Sequence, residues 1–400
     1  MNQLLKSIKG DRLIWAIAVL LAILSFLPVY SASSNLAYAP NGSNTFTYFI
    51  KHFMHLFLGF VIMYSVHKIP YSYFKGLSII MIPVILVLLT ITIFQGKTID
   101  GANASRWLKI PIVNMTFQTS SLASVVLMVY VARYLSRIKD KVVTFQETIL
   151  PLWLPVFLVL GLILPANFST TAIIFTMVLM LTFIGGYPIR YLMIVLGTGL
   201  LALTFFILIA KAFPESMPNR VDTWMSRIDN FMSDDKNNEA NYQVEKAKIA
   251  IATGIEPQGP GKSMQKNLLP QSSSDFIFAI VIEEYGIYGG VFLIILYCWL
   301  LFRLVIVSQK SETIFGKLVV LGVGIPIVFQ ALINMAVAVG LFPVTGQTLP
   351  LISSGGTSIW MTCLAIGIIL SVSAKREAII KEQEESQQEQ NPLDILSEAL

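Results

Sequence analysis

Charge is what this chain has least of. Only 13% of its 400 residues are Asp, Glu, Lys or Arg, against about a quarter in ordinary soluble domains. With 55% hydrophobic residues and a mean hydropathy of +0.71, a water-soluble globular fold is excluded. Two cysteines and three histidines supply neither a disulfide framework nor a zinc module. Cys298 and Cys363 both fall inside apolar runs, and His52 and His55, one helical turn apart, lack a third ligand nearby. A small-residue cleavage site after the first apolar run is also missing, so that run reads as a span and not as a cleavable leader. The formal charge of +5 is not a nucleic-acid footprint, because the basic residues flank apolar runs instead of forming one patch.

What the chain has is long apolar segments. A spanning helix needs roughly 20 apolar residues, and such runs fall at 13–32, 48–66, 76–95, 117–134, 149–165, 168–186, 191–211, 275–305, 317–341 and 356–374. The expected fold is therefore all-α and polytopic, with about ten transmembrane helices in one domain, 1–375. The eighth run is long enough to tilt, kink or project. Ten spans put both termini on one side. Lys6, Lys9, Lys68, Lys75, Arg137, Lys139, Arg190, Lys310 and Lys375 all lie on that side, against Lys51, Lys97, Arg106 and Lys109 on the other. Positive charge near span ends marks the cytoplasm, so both termini are expected there and residues 212–274 form a large extracytoplasmic loop. Within it, Gly259 to Lys266 reads as a flexible basic stretch, and 376–400 reads as a Glu/Gln-rich cytoplasmic tail with a short amphipathic end, Leu393 to Leu400.

Asp275, Glu283 and Glu284 are the acids inside spans, all in the eighth. A carboxylate at the bilayer centre costs about 2.5–3.5 kcal/mol on insertion scales, so each is a functional candidate. Asp275 sits at the extracytoplasmic mouth, where it could cap the helix or act as a base on a lipid headgroup. Glu283 and Glu284 lie deeper and could hold helices together or line a pathway.

Several strings then carry a specific resemblance. They are Asp275-Phe276-Ile277-Phe278-Ala279 with Glu283-Glu284-Tyr285-Gly286, and Leu341 through Ser358 preceded by Asn334. Gly101 to Trp107 followed by Phe117-Gln118-Thr119-Ser120 is a third. Together they resemble the SEDS family of peptidoglycan polymerases over nearly the whole chain to about residue 375. Gly10-Asp11-Arg12 and Tyr30-Ser31-Ala32-Ser33 favour its division branch over its elongation branch. The chain departs from the family pattern where Pro and Glu become Thr119 and Ser121, and where a nearby Lys becomes Ser124. Pro-Asp-Leu-Gly-Thr becomes Ala166-Asn167-Phe168-Ser169-Thr170, and Pro-Glu-x-His-Thr-Asp becomes Pro270-Gln271-Ser272-Ser273-Ser274-Asp275. A Tyr becomes Ser354.

The resemblance implies polymerisation of lipid II at the septum of the bacterial inner membrane, with Asp275 as general base. Trp107 and Arg106 would seat the substrate, Arg227, Lys262 and Lys266 would stand near its diphosphate, and Gly355 and Gly356 would let backbone approach the headgroup. Trp107 reads equally as an interfacial anchor. The candidate cofactor is a divalent cation, Mg or Mn. The implied partners are a class B penicillin-binding protein supplying the transpeptidase, other division-complex membrane proteins, and membrane lipids. A lipid II flippase and a non-catalytic division scaffold are the competing readings.

Overall fold

The structure is a computed structural model, and it describes residues 8–37, 44–95, 106–110, 115–212 and 239–389. Among these, nine helices are long and apolar enough to cross a membrane. They are α1 (Arg12–Ala37), α2 (Thr45–His67), α3 (Ser72–Gln95), α4 (Thr119–Ile138), α5 (Phe145–Ile163), α7 (Ile189–Ala212), α9 (Ile277–Lys310), α10 (Ile314–Ala338) and α11 (Gly356–Glu389). The tenth expected span is α6 (Phe168–Ile184), apolar but only 17 residues long. At about 1.5 Å per residue it covers roughly 25 Å, close to the hydrocarbon thickness of about 30 Å. One further helix, α8 (Glu239–Thr253), lies in the segment before α9. The strands β1 (Trp107–Ile110) and β2 (Met115–Gln118) pair antiparallel, with Trp107 opposite Gln118.

Large apolar side chains such as Ile80, Phe94, Leu201 and Phe302 point outward, as a hydrocarbon solvent requires. Inside, helices close on small residues. A Cβ at Gly59 of α2 would sit 2.9 Å from the Cys363 sulfur of α11, and one at Gly367 would sit 2.9 Å from Val66. Between two apolar helices in lipid, such close backbone approach supplies the packing that a hydrophobic drive cannot.

The two ends of the bundle differ in what they gather. At one end Arg303 forms an ion pair with Asp11, the Tyr71 hydroxyl meets Thr313 Oγ1 at 2.9 Å, and Lys375 lies over the Tyr71 ring. These residues come from the N-terminal segment, the C-terminal part of α9, the α2–α3 and α9–α10 turns and α11. The charge distribution had grouped the same segments on one side. At the other end lie the β1–β2 hairpin, the turns before α6 and α9, and the segment joining α10 to α11.

One expectation about the segment before α9 is corrected. Residues 239–253 form a helix within it, and 259–266 are not a flexible stretch but are bonded onto α9. The N–H groups of Gln258 and Gly259 donate to the carbonyls of Glu283 and Glu284 at 3.0 Å. Those carbonyls are accessible because α9 is broken at Gly286, whose φ of 75° and ψ of −178° lie outside the helical region. Only glycine adopts such a conformation readily. The last span also continues as helix through Glu389. Leu393 to Leu400 and Arg227 lie outside the described residues.

Candidate active site

The first helical residue of α9 is Ile277, and Phe276 occupies the N-cap. Asp275 therefore lies one residue outside the capping position. Its backbone is held from two directions. The N–H donates to Gln271 O at 3.1 Å, and the carbonyl accepts from Asn334 Nδ2 of α10 at 2.7 Å. The same Asn334 amide donates to Gln347 O at 2.7 Å. One turn away on α10, Gln330 donates to Thr348 O at 2.8 Å. Thus two polar residues at i and i+4 of an apolar helix tie the entry of α9 to the α10–α11 segment.

That segment also docks directly on the residues preceding Asp275. Ser353 Oγ donates to Ser274 O at 2.5 Å, and the Ser354 N–H donates to Ser273 O at 3.0 Å. The half-buried Asp275 carboxylate lies against Gly346, where a Cβ would stand 3.5 Å from Oδ2. Gln271 (φ 57°) and the buried Leu351 (φ 62°) both adopt left-handed backbone, which costs about 1–3 kcal/mol each unless the surroundings impose it. They sit on the two facing segments of the dock.

Thr357 at the start of α11 accepts from Gln118 N and donates to Thr116 O, each at 3.3 Å. This fixes the hairpin that carries Trp107, which is half-buried. Arg106 Nε donates to Ala166 O at 2.9 Å, just before α6, which Asn167 caps through Thr170 N at 3.2 Å. Gln347 Nε2 then donates to Thr170 Oγ1 at 3.0 Å. Arg106, Thr170, Gln347, Asn334 and Asp275 thereby belong to one connected polar ledge. Asn167, where the family pattern has a carboxylate, serves as a helix cap.

The chain's relationship to known proteins is consistent with this architecture. Residues 11–378 match the profile of the cell cycle protein family that comprises FtsW, RodA and SpoVE. This chain belongs to that family. It is 33% identical over 378 residues to a probable peptidoglycan glycosyltransferase FtsW of Hydrogenovibrio crunogenus, covering 92% of this chain and 93% of that protein. To the protein of the same description from Thiomicrospira cyclica it is 37% identical over 302 residues, 74% of each chain. Among solved structures it resembles a chain from a study of the structural coordination of polymerization and crosslinking by a peptidoglycan synthase complex. The TM-score is 0.71 at 24% identity, with 92% and 98% of the two chains covered. The rod shape determining protein RodA of Thermus thermophilus follows with a TM-score of 0.65 at 24% identity, covering 92% and 97%. These two likenesses are likenesses of fold.

In this member of the FtsW/RodA/SpoVE family the deeper acids have a structural environment. Glu283 is fully buried and its carboxylate accepts from Met264 N at 3.0 Å, Gln265 N at 3.2 Å and the Ser263 hydroxyl. It thus anchors the turn Gln265–Asn267. Glu284, also buried, accepts from the Ser31 hydroxyl of α1 and from Ser263 N at 3.3 Å. Ser263 and Lys266 have the Ser-x-x-Lys spacing of an acyl-transfer nucleophile, but the serine is buried and committed to Glu283.

Not every expected site residue joins Asp275. Lys266 Nζ donates to Gly261 O at 2.6 Å and to Ser31 at 3.3 Å, on the α1 side of α9, while Lys262 is exposed. Gly355 packs on Thr348, and Gly356 is covered by the His55 ring, atoms of which would lie 2.6–2.8 Å from a Cβ. Gly356 is glycine because a histidine occupies the space, not because its backbone is open to a headgroup. His52 meets Ser25 Oγ at 2.8 Å, a packing role. Sequence reasoning missed Gln330, and it included Gln347 and Leu351 in the Leu341–Ser358 string without giving either a role. Gln330 and Asn334 could have been noticed as a polar i, i+4 pair within an apolar run.

Proposed function

We propose that this chain is a peptidoglycan glycosyltransferase that polymerises lipid II into glycan strands at the division septum, releasing polyprenyl diphosphate. The observation that carries this reading is the rigid seating of Asp275 at the mouth of α9, in a chain matching proteins of that description across nine-tenths of its length. A sugar hydroxyl is a weak acid and needs a positioned base. The Asp275 carboxylate takes that proton. The oxygen then bonds to the anomeric carbon of a second lipid II, and the anomeric C–O bond to the diphosphate breaks with its electron pair leaving on the diphosphate. Positive charge is needed where that charge develops. Arg106, fixed through Ala166 on the same ledge, and Arg227 are the proposed sources, with Trp107 seating the headgroup. Lys262 and Lys266, the other cations expected near the diphosphate, do not join this ledge, and Lys266 is held against Ser31 of α1.

A divalent cation, Mg or Mn, would ride mainly on the substrate. Mg²⁺ sites usually combine one or two carboxylates with substrate phosphates, and among the described residues no three His, Cys, Asp or Glu side chains gather. Asp275 is the one carboxylate among the residues of the ledge.

Both termini are proposed to be cytoplasmic, which puts Asp275 outside, where peptidoglycan is built. A class B penicillin-binding protein is the proposed partner, supported by the structural neighbour drawn from a peptidoglycan synthase complex. The flippase reading is disfavoured because both oxygens of Glu283 and the Oε1 of Glu284 are engaged by backbone and serine donors. The test is glycan formation by the purified chain with its partner on lipid II supplied without a membrane to cross. Movement of labelled lipid II between leaflets with no glycan would instead indicate a flippase, and neither activity would indicate a scaffold.

A further inference from the structure

The chemistry proposed at Asp275 leaves two histidines of α2 without a part. His52 and His55 stand one helical turn apart and serve different neighbours. Ser25 gives its hydroxyl proton to Ala22 O at 2.7 Å. At the 2.8 Å contact between Ser25 and His52 the imidazole Nε2–H is therefore the donor, and His52 is committed to α1. His55 faces α11 instead. Its ring lies 5.3 Å from that of Trp360, centroid to centroid, and fills the space in front of Gly356. A Cβ at 356 would meet ring atoms at 2.6–2.8 Å, so the imidazole rests on bare backbone at the first residue of α11.

That residue is a junction. Just before it, Ser353 and Ser354 hold the residues that precede Asp275. Just after it, Thr357 holds the β1–β2 hairpin, and Ser358 accepts from Thr348 Oγ1 at 2.8 Å. The α11 ties to the ledge thus leave the chain on either side of the point where His55 presses. Further along the same interface the two helices have no slack, because Gly59 closes on Cys363 and Gly367 on Val66. A ring seated on Gly356 between helices this close acts as a stop that fixes how far α11 reaches along α2.

We propose that His55 is a positioning residue for the transfer reaction. Its ring sets the height of the first turn of α11 and, through Ser353 and Ser354, the placement of the Asp275 carboxylate. The inference rests on the glycosyltransferase reading and adds a residue that acts only through others. The path is short: ring to Gly356, backbone to Ser354, hydrogen bonds to residues 273 and 274, then Asp275 itself. Without the ring the first turn can slide into the space it held, and a shift of about 1 Å at a reacting group costs on the order of 10²-fold in rate. A methyl group at 356 makes the opposite error by pushing the turn away from α2. Residues in direct contact are coupled, so the two errors offset each other when combined.

The test is steady-state kinetics on lipid II with the full chain purified alongside its partner. His55→Ala and Gly356→Ala should each lower kcat by roughly 10–100-fold, with KM nearly unchanged. Adding His55→Ala to Gly356→Ala should recover about fivefold or more of the lost rate. The pH–rate profile of His55→Ala should keep its wild-type shape, because a positioning ring carries no proton for the reaction. Val66→Ala loosens the same two helices beside Gly367 and should leave activity per folded molecule near normal. Hydrogen exchange reads the stop without turnover, and the amides of 351–358 should exchange about fivefold faster or more in His55→Ala. Unchanged kcat in His55→Ala, no recovery in the double variant, or an equal loss in Val66→Ala would overturn the proposal. So would a pH profile that loses a limb, which would make His55 a proton carrier. Faster exchange in His55→Ala, in a protein whose wild type forms no glycan, would count against the glycosyltransferase reading alone.

Discussion

The Ser354 hydroxyl donates to the Ser273 hydroxyl at 3.2 Å, and the two residues also share a backbone hydrogen bond. In the family pattern these positions are a tyrosine and a histidine, so two large side chains have given way to two small ones that touch. The pair helps keep the α10–α11 segment docked beside Asp275. Ser273→Ala and Ser354→Ala should each lower stability by about 1 kcal/mol. The double variant should lose less than the sum by about 0.5 kcal/mol or more. Thermal unfolding in detergent measures this, and strictly additive losses would show that the hydroxyls act independently.

Asp275→Asn keeps the shape of the side chain and leaves both backbone hydrogen bonds of residue 275 in place. It should express, insert and bind its partner normally. Loss of basicity should lower the rate of glycan formation by roughly 10²–10⁴-fold. Asp275→Glu should also be poor, because a carboxylate displaced by about 1 Å loses on the order of 10²-fold. Near-normal polymerisation by the Asn variant would remove Asp275 from catalysis.

Asn334 holds Asp275 O and Gln347 O with one amide, and so acts as a positioning residue. Asn334→Ala should lower kcat by about 10²-fold through misplacement of the carboxylate, with KM changed less than twofold. Steady-state kinetics on lipid II separates the two constants. A rise in KM at unchanged kcat would make Asn334 part of the binding surface instead.

Removing the Glu283 carboxylate leaves the N–H groups of Met264 and Gln265 and the Ser263 hydroxyl without their acceptor. Glu283→Ala should therefore destabilise the protein by about 2–4 kcal/mol and reduce the folded amount more than the activity per folded molecule. Size-exclusion yield compared with specific activity decides the matter. Full yield with no polymerisation would bring Glu283 into the catalytic group.

Orientation is testable by chemistry at the surface. In a Cys298→Ser background, a cysteine placed at Asn238 should react with an impermeant maleimide in intact cells. Labelling only after the cells are opened would turn the molecule over and put Asp275 on the cytoplasmic side.

The sequence alone determined that this chain crosses a membrane about ten times, because runs of some 20 apolar residues have no other stable solution. It also singled out Asp275, Glu283 and Glu284, since a carboxylate is too costly in hydrocarbon to be incidental. It did not determine what those acids touch. That Phe276, not Asp275, occupies the N-cap position of α9 depends on where the chain turns out of the α10–α11 dock. That Glu283 and Glu284 anchor the 258–266 segment depends on the break at Gly286, which exposes carbonyls that an unbroken helix would have used itself. Nor could spacing reveal that Gly356 makes room for His55, or that Lys266 leans on Ser31. Those partners lie hundreds of residues apart in the chain, and only helix packing decides which of them meet.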